Sequence, residues 1–164
     1  MSKRPRILSS VTPEMVMGIV DVVSDHGNKA DLARIAISLQ SDVDDLLPVV
    51  EVAEALGLLR VENGDVTLTD LGGRFVKARS SNKKLILRRA LKNVEPFATI
   101  FKLIGSKEEF TAEELFESIS EVKELGEEYR NPEEIHHMIL EWLLFTELVD
   151  YDGEEKKFKV KKFS

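Results

Sequence analysis

Three histidines are the side chains of this chain best suited to proton transfer or metal binding near neutral pH. His136 and His137 are adjacent, so a helix would point them about 100° apart, which makes a shared metal ion difficult to hold. His136 and Glu133 predict at most a weak surface pair, and His26 lies where we expect a turn. The chain contains no cysteine, which excludes disulfides, thiolate zinc sites and cysteine nucleophiles.

Motifs for nucleotide chemistry are also missing from the sequence. Neither GxxxxGK[ST] nor GxGxxG occurs, and Gly72-Gly73 predicts a helix start with tight packing rather than a phosphate cradle. Carboxylates are numerous, but they fall at expected helix starts and surfaces, where they complement the helix dipole. Trp142 lies at helical spacing from other apolar residues and is predicted to be core. The sequence therefore predicts a protein that is not an enzyme, with no catalytic residue, metal ligand or cofactor.

Charge is distributed unevenly along the 164 residues. The whole chain carries a formal charge of −7, with +2 on residues 1–92 and −9 on residues 93–164. Two groups of cations stand out, and a solvated surface is the simpler interpretation of both. The candidate basic patch comprises Lys83, Lys84, Arg88, Arg89 and Lys92. The second group comprises Lys156, Lys157, Lys159, Lys161 and Lys162.

The first half of the chain predicts three helices after a flexible arm at residues 1–11. Thr12 is suited to cap the first helix, and Pro13 to occupy its first position, where a missing N–H costs nothing. The second helix is short. The third starts close to Asp44 or Asp45, which keeps Pro48 near the first turn, because proline deeper in a helix loses a hydrogen bond. Leu46 and Leu47 are both expected on its inward stripe.

A hairpin follows these helices. Asn63-Gly64 separates two β-prone runs, and both residues adopt positive φ readily, which favours a tight turn. Thr69 then caps a short closing helix. Three helices, a hairpin and a closing helix, in that order, are typical of a winged helix, a helix-turn-helix with a β wing.

The second half repeats that order. A long helix from Asn82 to Ile104, kinked or broken near Pro96, precedes a helix capped by Thr111. A charged loop over residues 121–130 leads to a helix capped by Asn131, and a second hairpin follows.

The predicted fold class is mainly α with small β wings, arranged as tandem winged-helix-like units. The first unit is expected over residues 12–80. The second is expected over residues 81–164 and includes the long kinked helix.

A winged helix raises the question of DNA binding. The helix that would enter the major groove contains five acidic residues and no Lys or Arg between Asp42 and Leu56. Its counterpart from Asn131 to Glu147 contains four glutamates and again no Lys or Arg. Like charges would repel phosphates, so these helices argue against a nucleic-acid partner.

Two other functions remain open. A DNA-binding transcriptional regulator is the main alternative, because the candidate basic patch and the C-terminal lysines could contact phosphates in another mode. A small-molecule sensor would need a pocket near Phe97, Phe101 and Trp142, which the sequence supports only as core.

Three segments resemble a known family, the AAA-associated C-terminal domain. They are Asp42–Gly57, with its Asp-Asp-Leu-Leu-Pro run, Gly64–Thr69 and Phe145–Asp152. That domain follows the ATPase subunit of ABC importers of the nitrate, sulfonate and taurine type. The resemblance implies a non-catalytic accessory or regulatory module for protein interaction. The chain carries no Walker A or LSGGQ-type motif, so we expect the tail of a longer subunit or a free-standing relative.

That resemblance implies an ABC-type ATPase subunit as a partner. A second copy of the chain, as a homodimer, is the other expected partner, because the helix from Asn82 to Ile104 has more apolar positions than one stripe can bury. No apolar run approaches the roughly 18 residues of a membrane span, and no apolar segment follows the basic N-terminus as in a signal peptide. We therefore expect a cytoplasmic protein that reaches a membrane surface only through a partner.

Overall fold

A computed structural model describes residues 5–105 and 107–161. The chain is mainly helical, with two small antiparallel sheets of three strands. It divides into two compact units. The N-terminal unit is Arg6–Ile86, and the C-terminal unit runs from Leu87 onward together with Pro5.

The N-terminal unit contains four helices, three strands and the first part of a fifth helix. In chain order they are α1 (Pro13–Asp25), β1 (Lys29–Asp31), α2 (Leu32–Leu39), α3 (Val43–Ala55), β2 (Leu59–Glu62), β3 (Asp65–Leu68), α4 (Asp70–Lys77) and α5 (Ser80–Leu91). Helix α1 packs on α2, α3 and α4, and buries Val16, Ile19, Val20 and Val23.

Local chemistry sets the helix starts of this unit. The Thr12 Oγ1 atom accepts a hydrogen bond from the Met15 N–H at 3.3 Å, as the sequence predicts. Asp31 and Thr69 accept equivalent bonds at the starts of α2 and α4. Each cap satisfies an N–H that the first turn of a helix leaves without an intrahelical partner.

The predicted first hairpin is present. Asn63 and Gly64 have φ of 53° and 81°, and β2 pairs antiparallel with β3. The strand that the sequence did not predict is β1, whose Ala30 pairs with Val66 and completes a sheet of order β1-β3-β2. The strand β1 has only three residues, and Ala30 is the one apolar residue among them. Its sequence therefore has no alternating apolar pattern that would predict a strand.

The C-terminal unit contains the end of α5 and further helices and strands. They are α6 (Phe97–Ile104), β4 (Glu109–Phe110), α7 (Ala112–Ser120), α8 (Lys123–Glu128), α9 (Pro132–Met138), β5 (Val149–Asp152) and β6 (Lys157–Val160). Helix α9 continues as a π-helical segment over Ile139–Leu144.

The C-terminal sheet has the same strand connectivity as the first one. Its order is β4-β6-β5. In each sheet the first strand in the chain pairs with the second strand of the hairpin that follows it. Aromatic rings fill the core beneath it. Phe110 stacks on Phe158 with centroids 5.4 Å apart, and Trp142 is fully buried 6.5 Å from the Phe97 ring, which confirms Trp142 as core.

One prediction for this half is confirmed and another needs correction. The long helical stretch is broken near Pro96 into α5 and α6, because Pro96 cannot continue the backbone ladder and the Glu95 carboxylate accepts bonds from the N–H and hydroxyl of Thr99. The charged loop at residues 121–130 contains α8. Leu125 and Tyr129 are buried there, so the segment is anchored despite its many charges.

Three details of the first half also differ from expectation. In the expected flexible arm, Ile7 and Val11 are buried, because each is an apolar side chain with a core to enter. Helix α3 begins at Val43, so Pro48 is its sixth residue and lies beyond the first turn. Leu47, predicted to point inward, is 39% exposed.

Candidate functional site

The outer face of α3 is acidic. Asp44, Glu51 and Glu54 are exposed on this helix, together with Leu47, and the helix contains no Lys or Arg. The Glu54 carboxylate accepts a hydrogen bond from the Val61 N–H at 3.1 Å, which ties one of these charges to β2. The face that a helix-turn-helix would offer to bases therefore carries negative charge held on rigid secondary structure.

The matching helix of the C-terminal unit is similar in charge. Asn131 caps α9 by accepting from the Glu134 N–H at 2.8 Å, as predicted. Glu133 is exposed in the first turn of α9, and Glu147 is exposed in the turn after the π-helical segment. His137 lies 3.9 Å from Glu141. No lysine or arginine occurs from Asn131 to Glu147.

The two remaining histidines have structural contacts. His136 packs against Tyr151 and Phe158, with ring centroids 5.3 Å apart in both cases. It lines an open cavity of about 320 Å³ with Glu113, Glu133 and Lys156 among its neighbours. The predicted pair with Glu133 does not form, because the imidazole packs on the aromatic rings. His26 Nε2 lies 2.8 Å from the Ser38 hydroxyl, in a turn as expected.

An apolar groove lies between α1 and α3 in the N-terminal unit, with a volume of about 370 Å³. We call it the α1–α3 groove. Its apolar lining consists of Met15, Gly18, Ile19, Leu39, Leu46 and Val49. Glu14 and Asp45 add carboxylates, and no lysine or arginine lines it.

Sequence reasoning missed this groove. Met15 lies at helical spacing from the buried Ile19 on α1, yet it is 47% exposed. Periodicity identifies which residues share a face, but not how deeply a neighbouring helix covers it. The sequence feature that could have indicated the groove is Gly18. It lies in the middle of a predicted helix, where glycine is unfavourable and no turn requires it.

The residues of the candidate basic patch lie on α5 or just after it. Lys83 and Lys84 belong to the N-terminal unit, and Arg88, Arg89 and Lys92 to the C-terminal unit. The Lys83 Nζ lies 5.5 Å from the centre of the Phe75 ring, a cation–π contact. Lys83, Lys84 and Arg88 are half-buried, while Arg89 and Lys92 are exposed.

The C-terminal lysines are largely engaged with carboxylates. Lys157 lies 3.1 Å from Glu109, and the charge and hydrogen bond of that carboxylate raise the pKa of Lys157. Lys159 and Lys161 pair with acidic residues of β5 at 3.7 and 3.4 Å. Lys162 lies outside the described residues. These pairs leave less positive charge for an external phosphate than the sequence suggests.

The tight packing predicted for Gly72-Gly73 is confirmed at Gly72. A side-chain carbon there would collide with the backbone oxygen of Leu58, so α4 approaches the residue before β2 closely only because residue 72 is glycine. At Gly73 the nearest atom to such a carbon is 4.0 Å away.

Metal clusters and membrane-crossing helices are both absent from the residues that the structure describes. In residues 5–105 and 107–161, no three His, Asp or Glu side chains lie close enough to hold a metal ion. None of the helices in these ranges is long and apolar enough to cross a bilayer.

A protein-family model matches most of this chain. The model of the C-terminal AAA-associated domain matches residues 33–152, nearly three quarters of the chain. The chain belongs to this family. The match extends from α2 to the end of β5 and so includes α3, its acidic face and the resembling segments. Comparison with curated proteins and with solved structures returned no match.

Proposed function

We propose that the protein is a non-catalytic accessory module that docks on an ATPase subunit of an ABC transporter of the nitrate, sulfonate or taurine type. The acidic outer face of α3 carries this proposal. A helix that offers Asp44, Glu51 and Glu54 to solvent is suited to a protein surface rather than to phosphates. Family membership supports an ATPase as the partner.

We further propose that each unit is a winged helix, the first over residues 12–80 and the second over residues 81–164. Two observations support this assignment. In both units a helix precedes a short strand, and later helices lead into a hairpin. Both sheets place the last strand of the hairpin in the centre, as β1-β3-β2 and β4-β6-β5. Docking on an ATPase would hold the module at the cytoplasmic membrane face.

Pull-down with the ATPase subunit tests the proposal directly. The purified chain is immobilised and offered the ATPase subunit of a nitrate-type, sulfonate-type or taurine-type importer, with and without ATP. We expect association in at least one nucleotide state. Absence of association in both states would overturn the proposed function.

Transcriptional regulation is the alternative, and the exposed cations Arg89 and Lys92 are the observation that favours it. A mobility shift with random duplex DNA at low salt separates the two functions. Micromolar binding that weakens steeply with added salt would support the regulator. The docking proposal predicts no shifted band at micromolar protein.

A second copy of the chain is the other candidate partner. Light scattering at high micromolar concentration distinguishes a homodimer from a monomer. A strictly monomeric particle would remove self-association from the proposal and leave the ATPase.

A further inference from the structure

Gly18 has no local structural reason to be glycine. It is the sixth of thirteen residues in α1, where glycine destabilises a helix by about 1 kcal/mol relative to alanine. A side-chain carbon built there would meet nothing within 4 Å. No described part of the chain occupies that space, so the glycine leaves the α1–α3 groove open to a side chain from outside.

The floor and the rim of the groove differ in exposure. Ile19, Leu46 and Val49 are at most 6% exposed and form a fixed apolar floor. Met15 is 47% exposed at the rim, and its unbranched thioether adapts to differently shaped apolar partners. Such a surface gains free energy when another apolar side chain displaces water from it.

The charges around the groove have one sign. Glu14 lies in the first turn of α1 and Asp45 in the first turn of α3, so the two carboxylates come from both groove-forming helices. Both side chains are exposed, and neither forms a salt bridge with a residue that the structure describes. A cationic partner would be attracted to this rim, and an anionic one would be repelled.

We propose that the α1–α3 groove binds an amphipathic helix of a partner protein, with large apolar side chains on one face and Lys or Arg beside them. A helix is the fitting shape because the groove is formed by two helices and offers no strand edge for pairing. The inference rests on the proposed docking function and adds a second contact surface and a partner chemistry to the acidic outer face of α3.

Two synthetic peptides probe the charge preference. One is an amphipathic Leu/Lys helix, and the other has the same leucine positions with Glu in place of Lys. Fluorescence anisotropy with the whole chain is expected to show binding of the Leu/Lys peptide at least tenfold tighter than of the Leu/Glu peptide. Equal affinities, or binding of neither peptide, would overturn the inference.

Filling the groove tests its location. Gly18→Leu occupies the open space, and we expect at least a tenfold loss of affinity for the Leu/Lys peptide. Ala33→Leu is the matched control, because Ala33 is exposed on α2 outside the groove. Circular dichroism checks that both variants fold. Should Gly18→Leu unfold, Met15→Lys takes its place, since that side chain already lies half in solvent. Unchanged affinity in the folded groove variant would contradict the groove as the site.

The same variants separate this inference from the proposed function. If the ATPase subunit binds the wild-type chain and the Gly18→Leu variant equally, docking on the ATPase stands and the groove is refuted as its surface. If light scattering shows a dimer that Gly18→Leu dissociates, the occupant is a second copy, and the proposed partner chemistry is wrong. Loss of ATPase binding in Gly18→Leu but not in Ala33→Leu would support both proposals.

Discussion

At the scale of single residues, neighbouring glycines in one helix have opposite roles. Gly72 lets α4 contact the backbone of Leu58, whereas a side-chain carbon at residue 73 would lie 4.0 Å from the nearest atom. The sequence predicts tight packing for the pair, but identical residue types cannot reveal which of the two makes the close approach.

We therefore expect Gly72→Ala and Gly73→Ala to change stability in opposite directions. Gly72→Ala forces α4 away from Leu58 and should lower the free energy of unfolding by about 1–3 kcal/mol. Gly73→Ala removes a flexible residue from a helix and should raise it by about 0.5–1 kcal/mol. Urea unfolding followed by circular dichroism measures both. Equal losses in the two variants would contradict the packing of α4 described above.

Asp152 shows how backbone groups tune a charge. The N–H groups of Glu155 and Glu154 donate to its carboxylate at 3.2 and 3.0 Å and lower the pKa of Asp152 below its ordinary value of 3.8. Because folding lowers this pKa, the contribution to stability is present above pH 3.8 and is lost as the pH falls through the lowered value.

Asp152→Asn should therefore lower the melting temperature at pH 7, and the difference from wild type should shrink as the pH approaches the lowered pKa. Carboxyl-carbon NMR of the wild-type chain should place the pKa of Asp152 below 3.8. Glu154→Gln is the control, because it removes a carboxylate from the same loop while keeping the backbone N–H that Asp152 uses. A measured pKa at or above the ordinary value would refute the role of these backbone bonds.

At the scale of elements, Glu95 lies two residues before α6 and bonds to the first turn of that helix. Its Oε2 accepts from the Thr99 hydroxyl at 2.7 Å and from the Thr99 N–H at 3.3 Å, and its backbone oxygen accepts from the Tyr129 hydroxyl. The side chain is 8% exposed, so these bonds replace water that the carboxylate has lost.

Removal of this acceptor should weaken the C-terminal unit. We expect Glu95→Ala to lower its free energy of unfolding by about 1–3 kcal/mol, since Thr99 loses its bonding partner. Glu95→Gln keeps an oxygen acceptor and should cost less. Trp142, the single tryptophan of the chain, is buried in this unit and reports its unfolding by fluorescence. An identical loss of stability in Glu95→Ala and Glu95→Gln would argue against a role for the hydrogen bonds between Glu95 and Thr99.

Some elements follow from local sequence and others do not. Thr12, Thr69, Thr111 and Asn131 cap helices as predicted, because a cap depends on a hydroxyl or amide three residues from its N–H partner. The strand β1 escaped prediction, because its pairing with β3 joins residues far apart in sequence. The same limit applies to the candidate site. Its acidic charges are visible in the sequence, whereas the α1–α3 groove depends on how closely two helices approach.

At the scale of the whole molecule, charge is the feature that separates the two proposed functions. The outer face of α3 carries Asp44, Glu51 and Glu54, and the helix contains no Lys or Arg. Negative charge at this position repels phosphates, whereas it can select a basic protein surface.

The central claim is that the acidic face of α3 is a protein-docking surface. Its most direct test is the affinity of the wild-type chain and of Asp44→Lys/Glu51→Lys for the ATPase subunit, with random duplex DNA measured in parallel. Glu117→Lys/Glu121→Lys, at two exposed positions on α7 and its C-cap, is the charge-matched control. The account predicts ATPase binding by the wild type and the control, at least a tenfold loss in the α3 variant, and no wild-type binding to DNA. Wild-type binding to duplex DNA, with ATPase binding absent or unaffected by the α3 reversal, would contradict it.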